Sequence, residues 1–271
     1  MTTTTERDDE TTRAKVRETY GAIARTGGSC CGPHGCAPTD ASKRIGYSDD
    51  DLAAVPEGAD LGLGCGNPHA IASLRVGETV LDLGCGGGFD AFLAARQVGS
   101  DGLVIGVDMT PDMIARARAN AAKVSVANVD FRLGEIEHLP VADGTVDVIL
   151  SNCVVNLAPD KRAVFREALR VLKDGGRLAI ADVVATAPMP EALRDDIAAY
   201  TGCIAGAAQV EDLRAMLVEV GFADVRITVS EPSRALMDEW FPGSGAGRVV
   251  ASATIEATKG AAGCCAPECC G

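Results

Sequence analysis

Cysteine is the residue type in this chain most able to do chemistry, because its spacing is so uneven. Eleven occur among 271 residues. Cys65, Cys153 and Cys203 stand apart from one another in short words of small or amide residues. Cys30, Cys31 and Cys36 crowd one Gly- and Pro-rich loop with His34, Cys85 sits in a glycine run, and Cys264, Cys265, Cys269 and Cys270 form two vicinal pairs. The first ten residues lack the basic and apolar regions of a signal peptide, and no apolar stretch reaches the roughly 18 residues that span a bilayer. A reducing, cytoplasmic setting is therefore expected. There such cysteines serve as free thiols, as metal or metalloid ligands, or as redox pairs rather than as a structural disulfide framework.

A second set of residues suits a nucleoside. Gly84, Gly86 and Gly88 follow a strand-like run and open a helix-like one, so the backbone can turn tightly and approach a ligand. Asp108 closes the next strand-like run, where a carboxylate accepts hydrogen bonds from both ribose hydroxyls. The glycine spacing is G-x-G-x-G rather than the dinucleotide spacing, and Asp82 precedes the first glycine, placed to answer an ammonium group or to anchor the loop. These two details favour S-adenosylmethionine, with a Rossmann domain for another nucleotide as the rival. Cys85 reads as a small packing residue.

The elements that must position these residues are legible as alternating periods. From Thr79 onward, apolar runs of strand length (79–83, 103–107, 129–133, 146–150, 177–182) alternate with helical patterns (89–97, 111–123, 161–171, 192–200, 210–220), which is βαβ punctuation. Late strands are expected at 225–229 and 249–254, and a helix at 12–25. The fold expected is a doubly wound, mostly parallel α/β sheet, Rossmann-like, with a small C-terminal extension. Residues 1–40 read as a flexible Cys-rich region, 41–220 as the catalytic domain, 221–258 as the extension and 259–271 as a Cys-rich tail. Ile197, Leu213 and Leu217 read as core. A length of 271 residues with 47% hydrophobic content favours one such body. A net charge of −13 argues against nucleic acid and against anionic membrane as partners.

Over residues 79–182 the chain resembles the class I methyltransferases. The resemblance implies that Asp108 and Met109 bind ribose and adenine, that Gly134, Glu135 and Ile136 hold the adenine edge, and that Asn152 meets the methionine end. Cys153 then falls at the end of the fourth strand beside the reacting methyl group, Cys203 follows a helix that roofs the substrate, and Cys65 lies in a loop before the first strand. Three converging thiolates suit trivalent arsenic, a soft metalloid that binds them as a pyramid and keeps its lone pair opposite, aimed for in-line transfer.

From about residue 20 to 221 the chain is similar to the arsenite methyltransferases. The carriers are Tyr47-Ser48 with Asp51-Leu52, Gly62 to Pro68 around Cys65, Ser151 to Leu157 around Cys153, and Gly202 to Ala207 around Cys203. The resemblance implies stepwise methylation of free or glutathione-bound arsenite to mono- and dimethylated products, with glutathione or thioredoxin as reductant. A monomer is expected, with no sequence feature bearing on self-association. The resemblance also implies a fourth, upstream cysteine able to pair with Cys65, for which Cys31 or Cys36 is preferred over Cys30. A zinc chelate at Cys30, Cys31, His34 and Cys36 competes with that role. The vicinal pairs at the C-terminus suit an arm that captures arsenite, against a zinc knuckle or a dispensable tail. The competing functions are a methyltransferase for another small acceptor and a non-catalytic thiol buffer for arsenic.

Overall fold

The computed structural model describes residues 9–26 and 37–260. Cys30, Cys31, His34, Cys36 and the four C-terminal cysteines lie outside the described residues. In chain order the helices are α1 (Asp9–Thr26), α2 (Pro38–Arg44), α3 (Asp49–Ala53), α4 (His69–Ala72), α5 (Phe89–Val98), α6 (Pro111–Val124), α7 (Lys161–Val171), α8 (Glu191–Arg194), α9 (Ile197–Thr201), α10 (Val210–Val220) and α11 (Ser233–Trp240). The strands are β1 (Thr79–Leu83), β2 (Leu103–Asp108), β3 (Val129–Leu133), β4 (Val146–Asn152), β5 (Leu172–Ala185), β6 (Phe222–Val229) and β7 (Val250–Lys259).

All seven strands join one sheet in the order β3-β2-β1-β4-β5-β7-β6. The first five are parallel, and β7 runs antiparallel to both β5 and β6. This is the doubly wound α/β sheet expected. The central strands are buried on both faces, so β1 and β4 are mostly apolar, interrupted by Asp82 and Asp147. One core layer joins Leu81, Ile149 and Ile180 to Phe165, Leu213 and Leu217, and the opposite layer joins Val80, Val148 and Ala179 to Phe92 and Ala95. Helix α7 supplies Val164, Phe165, Ala168 and Val171, one stripe at helical spacing, and starts where Asp160 accepts a hydrogen bond from Ala163 N. Helix α10 stops at Gly221, whose φ of 116° closes the helix in the left-handed region.

Several boundaries differ from the sequence reading. The helix expected at 192–200 is two short helices, because Asp196 caps a new start by accepting from Ala198 N at 2.7 Å. Ile197 is 40% exposed, so only Leu213 and Leu217 of the expected core stripe are buried. Strand β5 extends well beyond 177–182 at both ends, and β7 pairs with it from Arg177↔Thr258 to Ala185↔Val250. Residues 9–11, expected within the polar start or just before the helix, belong to α1, and α11 was not anticipated. No described helix is long and apolar enough to cross a membrane.

The C-terminal ends of β1, β2, β4 and β5 bring Asp82, Asp108, Asn152 and Asp182 to one edge of the sheet. The chain reverses its winding between β1 and β4, which opens a ligand crevice there. Truncating the fully buried Phe165 to alanine removes a side chain that the helix and sheet share. Phe165→Ala is expected to cost about 3–5 kcal/mol of unfolding free energy in urea titrations.

Candidate functional site

The crevice is built from backbone and carboxylates. Gly84 N and Cys85 N donate to Val107 O at 2.7 and 3.0 Å, which folds the glycine turn over β2. Asp108 accepts from Gly86 N through Oδ2 and from Thr110 N through Oδ1, at 3.0 and 2.8 Å, so its carboxylate is aimed by the loop it faces. Asp82 is 2% exposed, and its Oδ2 has no hydrogen-bond partner among the described residues. Burial, then the charges of Asp90 and Asp108, push its carboxyl well above the usual range. A buried orphan of this kind fits a cationic donor from a ligand.

Of the residues predicted to hold a cofactor, Asp82, Gly84, Gly86, Asp108, Met109, Ile136 and Asn152 line the crevice. Gly88, Gly134 and Glu135 are not among the residues that line it. A Cβ on Gly88 would meet the Phe92 and Phe131 rings, and one on Gly134 would meet Pro140. Glu135 is engaged by Arg17 at 3.3 Å and by Arg13 at 3.7 Å.

The thiols gather at the end of β4 and β5. The Cys65 loop lies so close to Asn152 that a Cβ on Gly64 would come within 2.6 Å of its Nδ2, which explains the small residues there. Asn152 holds this loop from two sides: Oδ1 accepts from Cys65 N at 3.0 Å, and Nδ2 donates to Gly66 O at 2.9 Å. Cys65 and Cys153 are joined by a disulfide. The resemblance had implied an upstream partner for Cys65, and the bond seen here goes to Cys153. Cys203 keeps its thiol and donates from Sγ to Cys153 O at 2.9 Å. All three cysteines are buried in one cluster.

Cys153 and Cys203 both have left-handed backbones, with φ of 58° and 65°. Non-glycine residues are held this way only where the surroundings over-determine them, and such positions concentrate at functional sites. The restraint is visible at Cys203: Asn156 Nδ2 donates to Cys203 O at 3.3 Å, to Val183 O at 2.6 Å and to Asp182 Oδ1 at 2.8 Å. Asp182 also accepts from Val183 N at 2.8 Å. One of its carboxylate oxygens and the sulfurs of Cys65 and Cys153 all lie within 4.8 Å of one another. Lys161, whose Nζ donates to Ala158 O, is held below its ordinary pKa by burial and opposed by the charges of Asp182 and Cys203.

Sequence reasoning missed Asp90, His69, Asp182 and the crevice wall given by α1. Tyr47 and Asn156 entered only within the carriers of resemblance. In the structure the Tyr47 hydroxyl donates to Asp90 Oδ1 at 2.5 Å and accepts from Asn152 Nδ2 at 3.0 Å, while His69 Nε2 lies 3.3 Å from the same Asp90 oxygen. Helix α1 contributes Val16 and Tyr20 to the wall and is tied down by Arg13, which donates to Glu137 Oε1 at 3.0 Å. A signal existed for Asp182, an acid inside an apolar strand run. Nothing local in the sequence marks Asp90.

A family model described as a methyltransferase domain matches residues 74–221. An arsenite methyltransferase of Halobacterium salinarum is 54% identical over 266 residues, covering 94% of this chain and 68% of that protein. One of Aquipseudomonas alcaligenes is 39% identical over 230 residues, covering 80% of this chain and 64% of the relative. The crystal structure of an arsenic(III) S-adenosylmethionine methyltransferase from Chlamydomonas reinhardtii superposes with a TM-score of 0.60 at 31% identity, covering 81% of this chain and 73% of that one.

Asp182 gives the site a pH signature. Burial, its largest cause, pushes this carboxyl from 3.8 up to about 6. The folded chain holds the proton where the unfolded chain has released it, so this contribution to stability is full below pH 4 and is lost as pH rises to 6. Two units correspond to about 3 kcal/mol. Asp182→Asn is expected to gain up to that amount on the unsubstituted protein between about pH 4 and pH 7, read by urea unfolding at both.

Proposed function

The chain belongs to the S-adenosylmethionine-dependent arsenite methyltransferases, and on that premise we propose that it methylates trivalent arsenic held by Cys65, Cys153 and Cys203. The observation that carries this reading is the meeting of three cysteines from separate segments in one buried cluster beside the crevice, which Cys153 lines, two of them with left-handed backbones. When bound, S-adenosylmethionine supplies an electrophilic methyl group on a sulfonium.

The residues present fit that group. Asp108 offers a fixed carboxylate to a ribose, and the orphaned oxygen of Asp82 suits an ammonium. Met109 and Ile136 give the adenine an apolar slot, and Asn152 ties the methionine end of the crevice to the Cys65 loop. Gly134 and Glu135 act on the adenine side through the chain they share with Ile136.

Arsenite exchanges its hydroxyls for thiolates, each hydroxyl leaving as water with a thiol proton. Three sulfurs fixed by β4, the Cys65 loop and the turn after α9 aim the arsenic lone pair into the crevice, so positioning does the catalytic work. Transfer raises arsenic to the pentavalent state. Two electrons from the Cys65 and Cys153 sulfurs return it to the trivalent state as they close the disulfide present in this structure. Glutathione or thioredoxin then reopens the pair by thiol–disulfide exchange. Repetition gives mono- and dimethylated products. Cys31 or Cys36 serves as a fourth thiol in this relay; both lie outside the described residues. We read the chain as a monomer working in the cytoplasm on free or glutathione-bound arsenite.

Purified protein incubated with arsenite, S-adenosylmethionine and glutathione is expected to form methylated arsenic and S-adenosylhomocysteine together. Cys153→Ser and Cys203→Ser should each reduce turnover at least about 100-fold, the scale of misplacing a reacting centre, while S-adenosylhomocysteine still binds. Cofactor binding with no arsenic product in the unsubstituted protein would overturn the reading in favour of another acceptor. Arsenite binding without cofactor consumption would make the chain a thiol buffer.

A further inference from the structure

One donor at the thiol site is foreign to the chemistry of arsenic. Trivalent arsenic completes its pyramid with three sulfurs and has no use for a carboxylate, yet a carboxylate oxygen of Asp182 stands within 4.8 Å of the sulfurs of both Cys65 and Cys153. All three residues are buried, with Asp182 at 2% exposure. We infer that Cys65, Cys153 and Asp182, once the disulfide is reduced, form a binding site for one thiophilic divalent cation of the zinc class.

The donor set and its spacing support this assignment. Zinc accepts thiolate at about 2.3 Å and carboxylate at about 2.0–2.2 Å in a tetrahedron. Ligand atoms in such a tetrahedron lie roughly 3.5–4 Å apart, so atoms already within 4.8 Å need only a small contraction, and the two sulfurs part when their bond is opened. Three protein ligands leave the fourth position to water. The carboxylate is also oriented in advance: Asp182 Oδ1 accepts from Asn156 Nδ2 and from Val183 N, each at 2.8 Å, and Asn156 N approaches Oδ2 at 3.4 Å. Ligating carboxylates held by such outer hydrogen bonds bind metals more tightly. Lys161, which feels the charges of Asp182 and Cys203, offsets the excess negative charge of two thiolates and a carboxylate around a dication.

The cation and arsenite would share Cys65 and Cys153, so each excludes the other. The inference rests on the reading that this pair is a working thiol pair. The two occupants differ in the third ligand: arsenite takes Cys203, the cation takes Asp182. That difference separates the two claims experimentally.

Reduction by a phosphine puts two electrons into the Cys65–Cys153 bond and leaves two thiols, the phosphine departing as its oxide with oxygen from water. The divalent ion then displaces both thiol protons to solvent. The experiment titrates Co²⁺, anaerobically and after the phosphine is removed, into the full chain carrying serine at positions 30, 31, 36, 264, 265, 269 and 270, so that the other cysteine clusters are silent. The expected result is thiolate-to-cobalt charge-transfer absorption saturating at one equivalent in reduced protein, absent in oxidised protein, and bleached by Zn²⁺. Cys203→Ser should keep the band. Asp182→Asn should weaken Co²⁺ binding at least about tenfold, with retained S-adenosylhomocysteine binding certifying the fold, and Zn²⁺ should raise the apparent arsenite KM of the unsubstituted enzyme. Cobalt binding unchanged by Asp182→Asn, or no band in reduced protein that still binds arsenite, would overturn the inference. Loss of the band in Cys203→Ser would also overturn it, by showing an all-thiolate site instead.

Discussion

The side-chain amide of Asn152 is the joint on which the site depends. Its oxygen accepts from Cys65 N, and its nitrogen serves Gly66 O, the Tyr47 hydroxyl and Asp90 Oδ2, the last at 3.3 Å. One planar group at the end of β4 thereby fixes a loop that precedes β1, a tyrosine between two short helices, and the first turn of α5. Amide donors and acceptors cannot be exchanged without leaving a buried group unsatisfied, which costs about 1–3 kcal/mol each. The thiol loop and the cofactor crevice are therefore mechanically one object, and a shift of the glycine turn is felt at Cys65.

Electrostatics divides that object into two halves. The crevice half gathers Asp82, Asp90 and Asp108 with little compensating positive charge on its walls, and Asp82 and Asp108 are held above the usual carboxylate range by burial. A cofactor bearing sulfonium and ammonium charges supplies what these acids lack. The thiol half instead hydrogen-bonds Asp182 to Asn156 and sets it in the field of the Lys161 charge. Helix α1 is held against the crevice by both kinds of contact: Val16, Ile23 and Ala24 are buried against the body, and Arg13 and Arg17 reach Glu137 and Glu135. The Arg13–Glu137 pair is itself sheltered from solvent, so the helix is a fixed part of the wall.

The sequence made the fold legible because hydrophobic period and glycine punctuation are local signals. Strands β1 and β3 and helices α7 and α10 coincide with the runs read from it, and Asp108 and Asn152 fall where strand ends demand them. Asp90 and Asn156 were opaque because their roles arise only from contacts across 43 to 62 and 26 to 47 positions of sequence. The split of the 192–200 helix was missed because one aspartate preferred capping to continuing. The Cys65–Cys153 bond was not legible because it depends on Asn152 drawing the Cys65 loop onto β4; the upstream cysteines lie outside the described residues.

The antiparallel entry of β7 makes it the strand that leads the chain away from the thiols. Its register places Lys259 opposite Phe222 and Thr258 opposite Arg177, whereas Ala253 lies opposite Asp182 at the level of the thiol site. At about 3.4 Å per residue, the six steps from Ala253 to Lys259 carry the chain roughly 20 Å away from that site. The strand therefore ends beside the start of β5, where Lys259 Nζ donates to Leu172 O at 2.7 Å. The sheet is thus pinned through β7 at the end remote from the chemistry.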